Sequence, residues 1–148
     1  MAAAVFLDTN LLVYPHDRRE PERAERAVAV LDELAGTGRA ALSTQVLGEF
    51  FWVVTRRLPD PLPPVEAAAS VERHARSWVV LDVSLPVVRE ALRGVREHTL
   101  PYWDALIWAS AKLSQIPLVL SQDFADGRDV EGVRFANPFA DGFQLGSI

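Results

Sequence analysis

The feature that most constrains the fold is a short apolar segment near the N-terminus that ends at an acid. Residues 5–7 read Val-Phe-Leu, and Asp8 follows directly. A strand without polar alternation is typical of the centre of a parallel sheet, where both faces are covered. Ligand sites in such sheets lie at the carboxyl ends of the strands. Thr9 and Asn10 are good helix-capping residues, so Asp8 could simply lie where the strand ends and a capped helix begins. Otherwise it needs a partner that offsets the free-energy cost of burying its charge.

Short apolar segments alternate with amphipathic helices along the rest of the chain. We predict strands at 5–7, 40–42, 78–81, 118–120 and 133–136, and helices at 22–34, 45–58, 65–76, 85–98 and 102–114. This alternation predicts a three-layer α/β/α fold with a central, mainly parallel sheet of about five strands. The 148 residues contain no repeat or linker, so we expect a single domain over 1–148.

Composition removes several classes of function. The chain has no cysteine, which excludes disulfides, thiolate metal sites and cysteine nucleophiles. No segment has the charge pattern of a signal peptide or the length of a membrane span, so we expect a soluble cytoplasmic protein with no membrane partner. The net charge of −5 does not indicate a broadly basic surface, although a local basic rim can coexist with an acidic site.

Three further acids stand in apolar surroundings. Glu49 lies in the middle of an apolar helix, Asp104 in the first turn of another, and Asp123 just after the fourth strand. Asp104 could complement its helix dipole and Asp123 could cap a turn, whereas Glu49 gains little structurally. If the first and fourth strands are adjacent, the acids meet at one sheet edge and repel one another. A divalent cation removes that conflict, and oxygen-only ligands favour Mg²⁺ or Mn²⁺ over zinc.

These motifs resemble those of the PIN-domain nucleases and, among them, the VapC-type toxins of type II toxin–antitoxin pairs. The matching segments are 5–14, 43–50, 102–109, 120–124 and the C-terminal 132–139. The resemblance implies a PIN-like fold and a metal-dependent endoribonuclease that hydrolyses RNA to inhibit translation. It also implies a cognate antitoxin protein as a partner and a homodimer.

The resemblance assigns roles to individual residues. The acidic quartet, which would be catalytic and bind the metal, corresponds to Asp8, Glu49, Asp104 and Asp123. The supporting positions are Thr9, Asn10, Ser121 and Asp126. In our mechanistic hypothesis the three aspartates of the quartet hold Mg²⁺ or Mn²⁺, and Glu49 completes the cage or orients the attacking water. In-line attack by that water leaves a 5′-phosphate, and none of the three histidines falls in a catalytic context.

Substrate contacts are less constrained by the sequence. Four arginines follow the Asp8 motif and could hold phosphates or simply face solvent: Arg18, Arg19, Arg23 and Arg26. Trp52, Trp103 and Trp108 lie on apolar helices, so we predict core or interface anchors rather than base-stacking platforms. The apolar excess around Trp52 is consistent with a groove for an antitoxin helix or with a dimer surface.

Other functions are possible for such a chain. A PIN-like scaffold that binds nucleic acid or protein without cleavage, and a related structure-specific DNA nuclease, both remain open. A haloacid-dehalogenase-type phosphatase would need a second acid two residues after Asp8, where this chain has Asn10. A nucleotide-binding domain would need a glycine-rich turn after the first strand, and the sequence has none.

Overall fold

The sheet at the centre of the molecule has six strands in the order β3-β2-β1-β4-β6-β5. The computed structural model describes residues 2–147 and, for Ser147, the backbone alone. The strands are Val5–Leu7 (β1), Ala40–Ser43 (β2), Val79–Leu81 (β3), Leu118–Leu120 (β4), Asp129–Val130 (β5) and Val133–Ala136 (β6). The helices are Thr9–Val13 (α1), Pro21–Leu34 (α2), Thr44–Arg56 (α3), Pro64–Ser77 (α4), Leu85–His98 (α5) and Tyr102–Leu113 (α6). Short 3₁₀ turns occupy Tyr14–His16 and Leu145–Ser147. The predicted α/β fold with a mainly parallel sheet is confirmed.

Strand β1 lies in the interior of the sheet, as its apolar sequence predicts. All three of its residues are fully buried. It pairs in parallel with β2 on one side and with β4 on the other, where Leu7 lies opposite Leu120. The first and fourth strands are therefore adjacent, which is the condition under which the acids come to one edge. Because the two strands end in register, the residues that follow them emerge at the same edge of the sheet.

The sequence did not predict strand β5. This strand has only two residues and pairs antiparallel with β6, so it carries no readable periodicity. The loop between them is Glu131-Gly132, and both residues have positive φ angles of 52° and 90°. Two positive angles define the tight hairpin turn that normally favours Asn-Gly or Asp-Gly. Glutamate at the first position hides this turn from sequence inspection.

The three tryptophans on apolar helices have different environments. Trp108 is completely buried between α5 and α6, and its indole N–H donates to the carbonyl of Val130 over 3.0 Å. Trp52 and Trp103 are instead 49% and 65% exposed. Trp108 is therefore a core anchor, Trp52 and Trp103 are not core residues, and an interface role for these two stays a prediction. In the described chain no helix combines the length and the hydropathy that crossing a bilayer requires.

Candidate functional site

Asp8 begins the site at the carboxyl end of β1, and its carboxylate is bonded through both oxygens. Oδ1 accepts the backbone N–H of Thr9 at 2.7 Å, and Oδ2 accepts the Ser121 hydroxyl at 2.7 Å. Asp8 is the N-cap of α1, so its capping role is real. Burial nevertheless raises the pKa of Asp8 to about 6, against those two hydrogen bonds and with help from the charges of Asp123 and Glu49. Capping alone therefore does not explain an acid at this position.

Glu49 reaches the same edge from the second turn of α3. This helix starts where the Ser43 hydroxyl accepts the N–H of Val46 at 3.3 Å. The two oxygens of Glu49 are held separately: Oε2 accepts the Thr9 hydroxyl at 2.9 Å, and Oε1 accepts the Gln45 side-chain amide at 2.6 Å. The carboxylate is thus fixed in direction by residues from two helices.

Asp123 is the exposed member of the quartet and is joined to Asp8 through Ser121. The Ser121 hydroxyl donates to Asp8 and also accepts the backbone N–H of Asp123 at 3.2 Å. The side-chain amide of Asn10 donates to Oδ2 of Asp123 at 3.2 Å. The supporting roles expected for Thr9, Asn10 and Ser121 therefore correspond to direct hydrogen bonds with the acids.

Asp104 lies half-buried in the first turn of α6. No side chain in residues 2–147 donates a hydrogen bond to its carboxylate. Burial raises the pKa of Asp104, and the charges of Asp123 and Glu49 raise it further. A carboxylate placed only to complement a helix dipole would be stabilised in its charged form. The raised pKa instead places Asp104 within a group of mutually repelling acids.

The donor set of the quartet fits a hard divalent cation. It offers only carboxylate oxygens, and within the described chain none of the four acids forms an ion pair with a basic side chain. Burial raises the pKa values of Asp8 and Asp104, and the like charges that face them raise both pKa values further. Among the described residues, no three of these acids bring ligand oxygens within 4.8 Å of one another, so an ion held here would complete its coordination with waters. These residues fit Mg²⁺ or Mn²⁺.

A tighter group of possible ligands, Glu97, His98 and Glu131, lies at the α5 end of the molecule. Two permanent cations already neutralise it. Arg93 is hydrogen-bonded to both glutamates, and Lys112 lies 3.4 Å from Glu131. The Arg93 and His98 hydrogen bonds lower the pKa of Glu131 to about 2. This group is an ion-pair network and not the predicted metal centre.

Asp126, the remaining supporting residue, is placed elsewhere. It is exposed, and its Oδ1 accepts the backbone N–H of Asn137 at 2.9 Å. Its charge is not among those that raise the pKa of Asp8 or Asp104. Asp126 thus binds the backbone of the C-terminal segment at Asn137, and the structure does not bring it into contact with the quartet.

The four arginines after the Asp8 motif are bonded within the protein. Arg18 pairs with Asp60, Arg19 with Asp17, Arg23 donates to the Tyr14 hydroxyl, and Arg26 donates to the Pro138 carbonyl. These contacts favour a structural role over a dedicated phosphate site.

A cleft of about 770 Å³ opens beside Glu49 and includes Trp52, around which the sequence indicated a groove or a dimer surface. Its lining residues are Thr44, Gln45, Gly48, Glu49, Trp52, Arg57 and Trp103. Gln45 also donates to the main-chain carbonyl of Trp103 at 3.2 Å, so it connects the two walls of the cleft. The spacing of four residues between Gln45 and Glu49 on one helix face was a usable signal for this contact.

Comparisons with known proteins agree with this fold. The PIN domain family model matches residues 5–125. The structure of Mycobacterium tuberculosis VapC20, described as a sarcin–ricin loop cleaving toxin, superposes with a TM-score of 0.62 and 20% identity over 78% of this chain and 86% of that one.

Two complexes are similar over more of the chain. DNA-bound VapBC from Salmonella typhimurium gives a TM-score of 0.64 and 21% identity over 93% of this chain and 99% of that one. A toxin–antitoxin complex from Klebsiella pneumoniae gives 0.64 and 17%, over 91% and 98%. A sequence search of curated proteins finds no match.

Proposed function

The chain belongs to the PIN domain family, and we propose that it is a metal-dependent endoribonuclease acting as the toxin of a toxin–antitoxin pair. One observation carries the proposal. Four carboxylates from four segments of the chain meet at the carboxyl edge of a parallel sheet, with no basic partner among the described residues. Structural acids are normally paired, whereas acids that share a cation are not.

The four acids have two roles in this proposal. Asp8, Asp104 and Asp123 supply the oxygen ligands of Mg²⁺ or Mn²⁺. When bound, such an ion lowers the pKa of a coordinated water and neutralises charge on a phosphate. Glu49, fixed by hydrogen bonds to both of its oxygens, orients the attacking water from one side. Ser121 holds Asp8 in its binding direction.

Histidine chemistry has no part in the proposed reaction. His16 and His74 pack against the ring of Phe50, and His98 is bonded to Glu131 in the ion-pair network. Attack by a water on the phosphate does not use the ribose 2′-hydroxyl. The products are then a 5′-phosphate and a 3′-hydroxyl.

The biological setting follows from the family and from the neighbouring structures. The similar complex from Klebsiella pneumoniae is a toxin–antitoxin complex, and the one from Salmonella typhimurium is VapBC bound to DNA. By analogy, this chain binds a cognate antitoxin and forms a homodimer. It cuts RNA in the cytoplasm, where translation takes place, and so inhibits protein synthesis.

The test is cleavage of a 5′-labelled RNA by the purified chain with Mn²⁺, with and without EDTA. We expect cleavage that EDTA abolishes and that Asp104→Asn reduces at least ~100-fold, as loss of a metal ligand does. Asp32→Asn, which changes an exposed acid on α2, should retain full activity.

A DNA strand of the same sequence, offered in parallel, tests the DNA-nuclease alternative. Equal cleavage of the DNA, or activity that survives EDTA, would contradict the proposal. Binding of RNA without any product would favour the non-cleaving scaffold.

A further inference from the structure

Two exposed indoles flank the cleft that opens on Glu49. Trp52 comes from α3 and Trp103 from α6, and they are 49% and 65% exposed. The side-chain amide of Gln45 donates to Glu49 and to the main-chain carbonyl of Trp103, so hydrogen bonds connect the helix turn that carries Trp103 to the acidic quartet. Large aromatic side chains are normally buried, and two that line one cleft beside reactive acids indicate a binding surface.

We infer that this cleft is a subsite for an unpaired nucleotide of an RNA substrate. The base packs against the indoles of Trp52 and Trp103, and the adjoining backbone phosphate contacts Arg57 and Arg56. The inference rests on the proposed nuclease function, because it places the strand so that a neighbouring phosphate reaches the quartet. A base can enter the cleft only where the RNA is single-stranded or looped out.

The charge of the cleft supports a nucleic-acid ligand. Arg57 lines the cleft, and the guanidinium of Arg56 lies 4.7 Å from the centre of the Trp52 ring. In the described part of the chain neither arginine has a carboxylate partner, in contrast to Arg18 and Arg19. Arginines without a partner beside aromatic rings are the combination that single-strand binding surfaces use.

The composition of the lining separates this ligand from an apolar peptide helix. Glu49 and Arg57 line the cleft together with the indoles. An apolar helix face laid over the cleft would take these two charges out of water without offering them a partner, which is unfavourable. A nucleotide carries both a flat apolar face and many polar atoms, and the volume falls in the range of ~300–1,000 Å³ found for small-ligand sites.

Binding without catalysis tests the inference directly. The probe is a fluorescein-labelled 12-nucleotide single-stranded RNA, titrated in EDTA with the full chain and compared with the same RNA in a duplex. Trp103→Leu and Trp52→Leu keep an apolar side chain but remove the ring, so each should weaken single-strand binding at least ~5-fold. Trp103→Phe should recover part of the loss, and duplex binding should not change.

The arginines are tested in the same titration. Arg57→Ala should weaken RNA binding. It should also reduce, by about one, the slope of the logarithm of the binding constant against the logarithm of the salt concentration. Arg89→Ala, which removes an exposed arginine on α5 outside the cleft, should do neither. Leu85→Ala is the matched apolar control, since Leu85 is 58% exposed on α5. Melting temperatures within ~2 °C of the unmodified protein identify variants that fold normally.

An abasic series locates the subsite. Removing one base at a time from the 12-mer should weaken binding to the unmodified protein at one position, and Trp103→Leu should lose that dependence. Unchanged RNA affinity in both leucine variants would overturn the inference, even if the enzyme cleaves RNA. The inference would also be overturned if the two leucine variants bound RNA normally and lost only the binding of a co-expressed antitoxin. If the unmodified protein fails to cleave but binds single strands through its tryptophans, the proposed nuclease function fails and the subsite stands.

Discussion

Replacing Asp8 by asparagine should make the metal-free protein more stable while abolishing cleavage. The substitution removes the buried negative charge. Oδ1 of the new amide can accept the N–H of Thr9 as before, and its Nδ2 can donate to the hydroxyl of Ser121, which now accepts. Both hydrogen bonds of the side chain are kept, but the hydroxyl hydrogen of Ser121 loses its acceptor, which offsets part of the gain at every pH.

The size of the effect follows from the pKa of Asp8. Burial raises that pKa from 3.8 to about 6, so the folded state binds the proton more tightly than the unfolded state. Stability from this group is therefore lost as pH rises from about 3.8 through about 6. A shift of about two units corresponds to about 3 kcal/mol at pH 8, and to about half of that at pH 5, where the folded carboxyl is still mostly protonated.

The assay is urea unfolding of both proteins in EDTA at pH 5 and pH 8, alongside RNA cleavage in Mn²⁺. We expect Asp8→Asn to exceed the unmodified protein by up to about 3 kcal/mol at pH 8 and by about 1.5 kcal/mol less at pH 5. Added Mn²⁺ should stabilise only the unmodified protein. Asp32→Asn should match the unmodified protein at both pH values. A variant that is less stable at pH 8, or a difference that does not depend on pH, would refute the reasoning.

Two further predictions concern stability. Gly94→Ala should destabilise the protein by ~1–3 kcal/mol, because the new methyl group would lie 2.7 Å from the buried Trp108 ring. In Gly48→Ala the new methyl group meets nothing within 4 Å, so this variant should be more stable by up to ~1 kcal/mol. Urea unfolding that gives both changes in stability the same sign would contradict this prediction. Burial lowers the pKa of His74 to about 4, so stability should decline as pH falls from 6.5 towards 4. His74→Gln, which keeps an acceptor for the indole N–H of Trp78, should reduce that decline in melting temperature, and an unchanged decline would exclude His74 as a source.

Sequence reasoning singled out Asp8 and Glu49 because each contradicts its surroundings, and Asp8 ends a fully buried strand. The rule that parallel strands end at a common edge indicates where the acids lie only once β1 and β4 are adjacent, which the structure shows. The bonds of Thr9 to Glu49 and of Ser121 to Asp8 could not be predicted in the same way. They join residues 40 and 113 positions apart, and their existence depends on side-chain directions that only the assembled sheet fixes.

Helix α3 shows why the cleft was harder to predict than the acids. Its core face is Val46, Phe50 and Val54, at spacings of four, and a single covered face needs no further apolar residue. The apolar excess at position 52 therefore marked an uncovered face, and the spacing 45, 49, 52 and 56 aligns an amide, an acid, an indole and a guanidinium along it. That stripe is readable from the sequence once Glu49 is assigned to the site. The opposite wall of the cleft is not readable from the sequence, because Trp103 reaches the cleft only through the packing of α6. The full lining of the cleft is therefore known only from the tertiary structure.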